Sequence, residues 1–379
     1  MRSALRSVWS IFVVHSVVMC ATAAIWVHYF GSVATRQRGY SLGNFVSAFA
    51  HWDSSWFLLI AKNGYVLSNP NEPAFFPGFP FLMGFGGHAL SFVRHFGTIG
   101  PVADKTYYAA GILISNVAFL LILMGLYWLG RMKYSERVTL RALWLLALFP
   151  SSYYFSSAYS ESLFLLFVVF GMLFGYRKQW LLAAISIGLS ALTRNLGIFV
   201  VASLLWLVWL DFREHKDVGK FIRNGLTVSA IPGFFLSLYL LLLYRVYQNP
   251  LMFLWAEKHH WHRKFTWIWT SLHADYRIDP LGFVASVVFL GLLVFAIRKI
   301  PLEQWILSAF FIIIPLLSSA GKYSPYPMSM IRFVLIAFPM FFYLGANIKK
   351  TETYMVTIAT SAIFLVVLTG LFTTGQWVA

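Results

Sequence analysis

Asp53 stands in the run His51-Trp52-Asp53-Ser54-Ser55-Trp56, a carboxylate between two tryptophans at the edge of the first long polar gap in a very apolar chain. The aromatic, amphipathic stretch from Asn44 to Ala61 around it reads as a short helix lying along a membrane surface, where the carboxylate is partly desolvated. Carboxylates at such an edge default to function because holding them there is costly, which makes Asp53 a candidate catalytic group. The plainer alternative is an interfacial carboxylate bonded to a helix terminus or to Lys62. Glu161, in SSAYSESLFLL, is the other acidic residue expected at a span boundary, among serines and tyrosines that offer hydrogen bonds. A Ser-x-x-Glu-like helix start, with the carboxylate in the first turn, accounts for it equally well.

Basic and aromatic residues supply the other candidates. Arg194 interrupts an apolar stretch over 180–210, and a guanidinium at such a break needs water, a carboxylate or an anionic ligand, with phosphate the obvious anion. Arg332 and Lys322 could extend the same positive pocket, although snorkelling explains either and is the favoured reading for Lys322. The gap WAEKHHWHRKFTWIW, 255–269, gathers His259, His260, His262, Arg263 and Lys264 with four tryptophans, Trp261 among them. Its histidines at i, i+1 and i+3 do not share one helical face and lack a partner carboxylate pattern, so no metal is expected. Stacking on a sugar or binding a lipid phosphate suits tryptophan plus arginine better, beside the plainer reading of an aromatic belt at the membrane interface.

What must position these residues is an all-α, polytopic membrane protein. Hydrophobic residues make up 59% of the 379 and charged ones 11%, far below the quarter or so usual in soluble domains, and mean hydropathy is +0.72. The formal charge of +16 is scattered in small groups between apolar runs, which excludes a basic nucleic-acid-binding arm and reads as topology signals. Cys20 is the single cysteine, so intrachain disulfides and cysteine metal sites are excluded.

Apolar runs near 9–30, 107–130, 142–158, 161–176, 180–193, 197–210, 224–246, 280–297, 303–320, 332–347 and 353–372 give about eleven transmembrane helices. The first is read as a retained helix. A further run at 74–93 contains Pro77, Pro80 and four glycines and suits a broken or re-entrant element. If it does not span, the clusters at 2–6, 131–141, 177–178, 213–223, 298–299 and 349–350 all face the cytoplasm. The polar stretches at 51–56, 157–162, 193–195, 247–279 and 321–332 then share the opposite side. The chain, without internal repeats, is read as one membrane domain over 1–379, with its largest outer gaps at about 31–73 and 247–279.

Taken together, the motifs resemble those of the PIG-V family of mannosyltransferases, of the GT-C class of membrane glycosyltransferases. WDSSWFLLIAKNGY at 52–65 resembles the family's Trp-Asp-Ser, Ile-Ala and Gly-Tyr elements; AFFPGFPFL at 74–82 resembles Phe-Phe-Pro-x-x-Pro; FPSSYYFSSAYSESLF at 149–164 resembles its Tyr-Ser-Glu-Ser block. TRNLG at 193–197 matches a Thr/Ser-Arg-x-x-Gly turn, and WHR at 261–263 and IRFVLIAFPMF at 331–341 are looser. Phe57 and Phe333 stand where the family pattern has tyrosine.

The resemblance implies a GT-C fold with jaw-like helices in the first outer loop, about 31–93, and no cofactor. It implies a polyprenyl-phosphate-mannose donor and a glycan or glycolipid acceptor on the extracytoplasmic or lumenal face, in the plasma membrane if the source is prokaryotic. Asp53 would be the general base of an inverting transfer. Arg194, with Arg263 or Arg332, would stabilise the leaving phosphate. Trp52, Ser54, Glu161 and Trp261 would contact substrate. A GT-C transferase of another polyprenyl-linked sugar is the nearest alternative; a lipid or glycan transporter is a further one, although such proteins usually carry repeat symmetry.

Overall fold

The structure, a computed structural model, describes residues 2–31, 42–94, 102–318 and 329–378. Lys322, residues 32–41 of the first gap and 321–328 of the last polar stretch lie outside them. The described residues contain helices and no strand. In chain order these are α1 (Arg2–Phe30), α2 (Leu42–Ala48), α3 (Asp53–Asn63), α4 (Gly78–Arg94), α5 (Asp104–Lys133), α6 (Glu136–Ala147), α7 (Glu161–Tyr176), α8 (Trp180–Thr193) and α9 (Val201–His215). There follow α10 (Val218–Tyr247), α11 (Met252–His259), α12 (Ile268–Ile278), α13 (Pro280–Phe295), α14 (Leu302–Leu317), α15 (Met330–Ile336), α16 (Pro339–Asn347) and α17 (Thr351–Thr373). Turns of 3-10 helix occupy Glu72–Ala74, Ser152–Ser156 and Asn195–Val200.

Among the described residues, Leu5–Phe30, Asp104–Lys133, Asn195–His215, Val218–Tyr247 and Thr351–Thr373 are long and apolar enough to cross a membrane. The pair α15 and α16 makes a sixth if counted as one span, and α4, α7, α8, α13 and α14 are apolar but shorter. Length therefore supports five or six spans, short of the expected eleven or so.

Three of the expected elements take another form. The run 142–158 is not one helix: α6 stops at Ala147, because Pro150 disfavours helical backbone at Phe149, and a buried 3-10 turn follows. The run 332–347 bends by 74° between α15 and α16, where Pro339 opens the second piece. The 74–93 run is the opposite case, since α4 is continuous from Gly78: Pro77 precedes it and Pro80 falls in its first turn, where no intrahelical donor is lost.

Contacts group the chain into two compact units. The first comprises Met1–Gly64, Pro77–Leu163 and Gly345–Val378. Glycines allow its close approaches: a Cβ at Gly84 would lie 2.8 Å from the Ala61 carbonyl of α3, and one at Gly87 would run into the Tyr107 ring of α5. His15, fully buried on α1, joins its neighbours by polar contacts, with Nδ1 2.7 Å from the Ala147 carbonyl and Nε2 3.0 Å from the Ser156 hydroxyl. Tyr153, Tyr154, Tyr159 and Phe372 form a buried aromatic cluster below the 157–161 segment.

The second unit comprises Tyr65–Phe76 and Phe164–Leu344. Its segment 65–76 is tied to α10 by phenols. The Tyr239 hydroxyl donates to the Pro73 carbonyl at 2.6 Å and the Tyr247 hydroxyl to the Val66 carbonyl at 3.0 Å. Glu72, 1% exposed, organises the segment by accepting from the Val66 N–H and the Asn69 amide. Burial pushes its carboxyl up, and these bonds pull the other way.

Gly84→Ala must push α3 and α4 apart and is expected to lower the melting temperature in detergent. At Gly225, a Cβ on α10 meets nothing within 4 Å, so Gly225→Ala should hold or raise it through helix propensity, worth up to about 1 kcal/mol. Thermal unfolding of the two variants beside the parent checks both; equal behaviour would remove the close α3–α4 approach.

Candidate active site

The expected single helix over 44–61 is broken. Residues 49–52 separate α2 from α3, and the bond partners of that break explain it. The Phe49 carbonyl accepts from the Ala158 N–H at 2.9 Å in place of a helical partner, and the His51 carbonyl accepts from the Tyr159 hydroxyl at 3.0 Å as well as from the Ser54 N–H at 3.2 Å. Trp52 has φ 55° and ψ −111°, a conformation that a bulky L-residue adopts only when its surroundings impose it, at a cost of about 1–3 kcal/mol. Asp53 follows as the first residue of α3, half-buried. Lys62 pairs with Asp104 at 2.7 Å and not with Asp53, which removes one structural explanation for the aspartate.

Ser54 is fully buried and donates its hydroxyl to the Ala158 carbonyl at 3.0 Å. That bond anchors the first turn of α3 to the 157–161 segment. Trp52, the residue before Asp53, is 43% exposed. Glu161, 0% exposed, is the first residue of α7 and closes the 157–161 segment. Within the first unit, the structure therefore brings the WDS and AYSE motifs together through the Ala158 peptide.

In the second unit, Arg194 caps α8 in an extended conformation, φ −152° and ψ 148°. Gly197 makes the turn possible, because a Cβ there would strike the Ser190 and Ala191 backbone. The half-buried Arg194 guanidinium lies over the Phe333 ring, 5.3 Å from its centroid, and Arg332 beside Phe333 is 8% exposed. Of the two arginines expected to meet a phosphate, Arg194 packs on the ring of the residue that follows Arg332 in α15. Arg263 is set differently, with Nε 3.9 Å from Glu257 and carboxylates around it. Trp261 is half-buried with its edge toward Phe75 at 5.9 Å, and His259 stacks on Trp255 at 4.4 Å.

Sequence reasoning named Glu161 as the other boundary carboxylate and missed Asp275 and Asp279, which are 2% and 8% exposed. Asp279 caps α13, accepting from the Gly282 N–H at 2.9 Å, while the second oxygens of both carboxylates have no hydrogen-bond partner. Two aspartates four residues apart, separated by Tyr276, Arg277 and Ile278, are the available signal; their burial depends on packing that sequence does not reveal. Burial first, and the Asp279 charge second, lift the Asp275 carboxyl to about 7, against a pull downward from Arg263.

The fold resembles that of ArnT from Cupriavidus metallidurans bound to undecaprenyl phosphate, at a TM-score of 0.51 and 15% identity, over 93% of this chain and 62% of that one. Its class is the GT-C fold of integral membrane glycosyltransferases. Residues 31–277 match the family Mannosyltransferase (PIG-V), and the chain belongs to it. GPI mannosyltransferase pigv-1 of Caenorhabditis elegans is 32% identical over 215 residues, 52% of this chain and 30% of that protein. GPI mannosyltransferase 2 of Chaetomium globosum is 32% identical over 148 residues, 38% and 31% of the two lengths. The matches thus span about a third of each curated relative.

Asp275 gives a signed pH dependence. Because its folded-state value near 7 lies above the ordinary 3.8, the folded form holds a proton that the unfolded form releases, and stability falls as pH rises between the two values. Asp275→Asn removes that loss: it should raise the melting temperature at about pH 8.5 and change it little at about pH 4. A shift of the same size at both pH values would refute the assignment.

Proposed function

We propose that the chain is an inverting mannosyltransferase that moves mannose from a polyprenyl-phosphate donor to a glycan or glycolipid hydroxyl on the extracytoplasmic face. The carrying observation is Asp53 at the start of a helix pinned by the adjoining family motif, in a chain that belongs to the PIG-V family. In this reading the Asp53 carboxylate accepts the proton of the acceptor hydroxyl as that oxygen attacks the anomeric carbon and the polyprenyl phosphate leaves from the opposite face. The phosphate is already a good leaving group, so the second carboxylic acid that glycosidases need is dispensable.

In this reading the basic residues divide by role. Arg194, over the Phe333 ring, and Arg332, which precedes Phe333 in sequence, form the pair assigned to the departing phosphate, where a fork of donors stabilises the oxygens as charge develops. Arg263 is already neighboured by Glu257 and Asp275, and a cation balanced by carboxylates is a poorer anion holder, so it is assigned to organising the 247–279 segment. Trp52 and Trp261 offer ring faces and edges to sugar. Glu161, at the end of the motif that pins α3, orients hydroxyl groups of donor or acceptor.

Reconstituting the purified chain with polyprenyl-phosphate mannose and following hexose addition by mass spectrometry tests the activity, and donors bearing glucose or arabinose separate it from a transferase of another sugar. Asp53→Asn should lower turnover by roughly 10² to 10⁴ while leaving donor binding nearly unchanged. Near-normal transfer by Asp53→Asn would remove Asp53 as the base and turn attention to Glu161. Arg194→Lys should weaken donor use, since it keeps charge without the bidentate fork. Unchanged donor KM and activity in Arg194→Ala would show that the residue serves only the fold.

A further inference from the structure

The strained residue before Asp53 is held by a segment that none of the motifs contains. At the end of α17 the Gln376 N–H donates to the Leu371 carbonyl at 3.0 Å and the Gly375 N–H to the Phe372 carbonyl at 2.9 Å. Gly375 has φ 87°, and together these define a Schellman turn that reverses the chain. The reversal brings Gln376 and Trp377 against Trp52. His51 Nε2 lies 3.3 Å from the Thr373 carbonyl, one of the groups a helix end leaves without an internal partner. The Trp52 indole N–H donates to the Gln376 carbonyl at 3.3 Å, and the Trp52 ring meets Trp377 edge-to-face at 5.1 Å. The His51 ring also sets its edge against Phe372, 5.8 Å away.

These contacts fall on Trp52, whose backbone is strained, and on His51 before it, and Trp52 precedes the proposed base. A left-handed tryptophan persists only where several independent contacts define it, and such strain collects where a neighbouring group must be aimed. From the other side, the Tyr159 hydroxyl fixes the His51 carbonyl, and Ser54 fixes the first turn of α3. The 372–377 turn supplies what these bonds lack, a hold on the Trp52 side chain itself.

We propose that Phe372–Trp377 is a positioning clamp for the reaction, with Trp377 and the Gln376 carbonyl locking Trp52 in its left-handed conformation and thereby aiming the Asp53 carboxylate. This rests on the reading of Asp53 as general base. Gln376 acts through its backbone, so its side chain is replaceable, whereas the ring at 377 is not. Trp377 touches Trp52 and acts through it; it is a positioning residue and does no chemistry.

The test uses the full chain with Trp377→Ala, and Trp377→Phe as the conservative replacement that keeps a ring edge. Amide hydrogen exchange should quicken in peptides from 45–63 and stay unchanged in α5, because only the clamped segment loses a constraint. Turnover in hexose transfer should fall roughly 10- to 10²-fold, the scale of an ångström of misplacement, with donor KM within about twofold, and Trp377→Phe should restore most of it. In an Asp53→Asn background, Trp377→Ala should cost nothing further, since there is no carboxylate left to aim.

Trp52→Phe, which removes the indole N–H that reaches Gln376, should reproduce the selective exchange and serves if Trp377→Ala does not purify. Unchanged exchange at 45–63 in both variants overturns the clamp. An equal rate loss with and without the Asp53 carboxylate overturns its action through that residue. If the parent chain transfers no hexose, the functional reading falls and exchange alone judges the clamp.

Discussion

The peptide of Ala158 is the joint on which the first unit's chemistry hangs. Its N–H donates to the Phe49 carbonyl and its carbonyl accepts from Ser54, so the two peptide groups on either side of one Cα fix the end of the 42–50 segment and the beginning of α3 at once. In an apolar surrounding such groups have no water to fall back on, and each unmet one costs several kcal/mol. The 157–161 segment can serve as a template because it is itself irregular: broken from α6 by Pro150, it has backbone groups to give away. A regular helix there would have consumed them. Two breaks, at 148–160 and at 49–52, therefore satisfy each other, and neither would persist alone.

A related economy governs the arginines of the second unit. Arg194 sits at the end of α8, where the chain leaves helical geometry and Gly197 lets it fold back on itself. A guanidinium placed there gains the Phe333 face. Arg263, by contrast, has the Glu257 carboxylate 3.9 Å from its Nε. Equal formal charges thus acquire different capacities from their neighbours, which is why the simple count of basic residues in the polar stretches says little about where an anion would sit.

Much of this was legible in the chain because polar residues stand out against so apolar a background. Asp53, Glu161 and Arg194 were each singled out by the cost of placing them where they are, and all three lie at helix termini. The hinges were less visible. The amphipathic pattern of 44–61 continues through the break at 49–52, so periodicity predicts one helix where tertiary hydrogen bonds impose two. Pro150 and Pro339 were available as breakers, but the apolar runs around them matched the length of a span and masked their effect. Lys62 shows the limit of proximity in sequence, since a lysine nine residues from Asp53 finds Asp104 instead. The buried Asp275 and Asp279 fall in the same category: their types were readable and their surroundings were not.

The phenol ties of segment 65–76 also set an order on biogenesis. Tyr239 lies 166 residues beyond the Pro73 carbonyl it meets, and Tyr247 lies 181 beyond that of Val66. At ribosomal rates of about 5–20 residues per second, those carbonyls wait on the order of 10–30 s before their partners exist. During that interval the segment, with Glu72 in it, must remain hydrated. Insertion of α10 therefore precedes the docking of a stretch made long before it, and the region next to the earliest motif is among the last parts of the chain to mature.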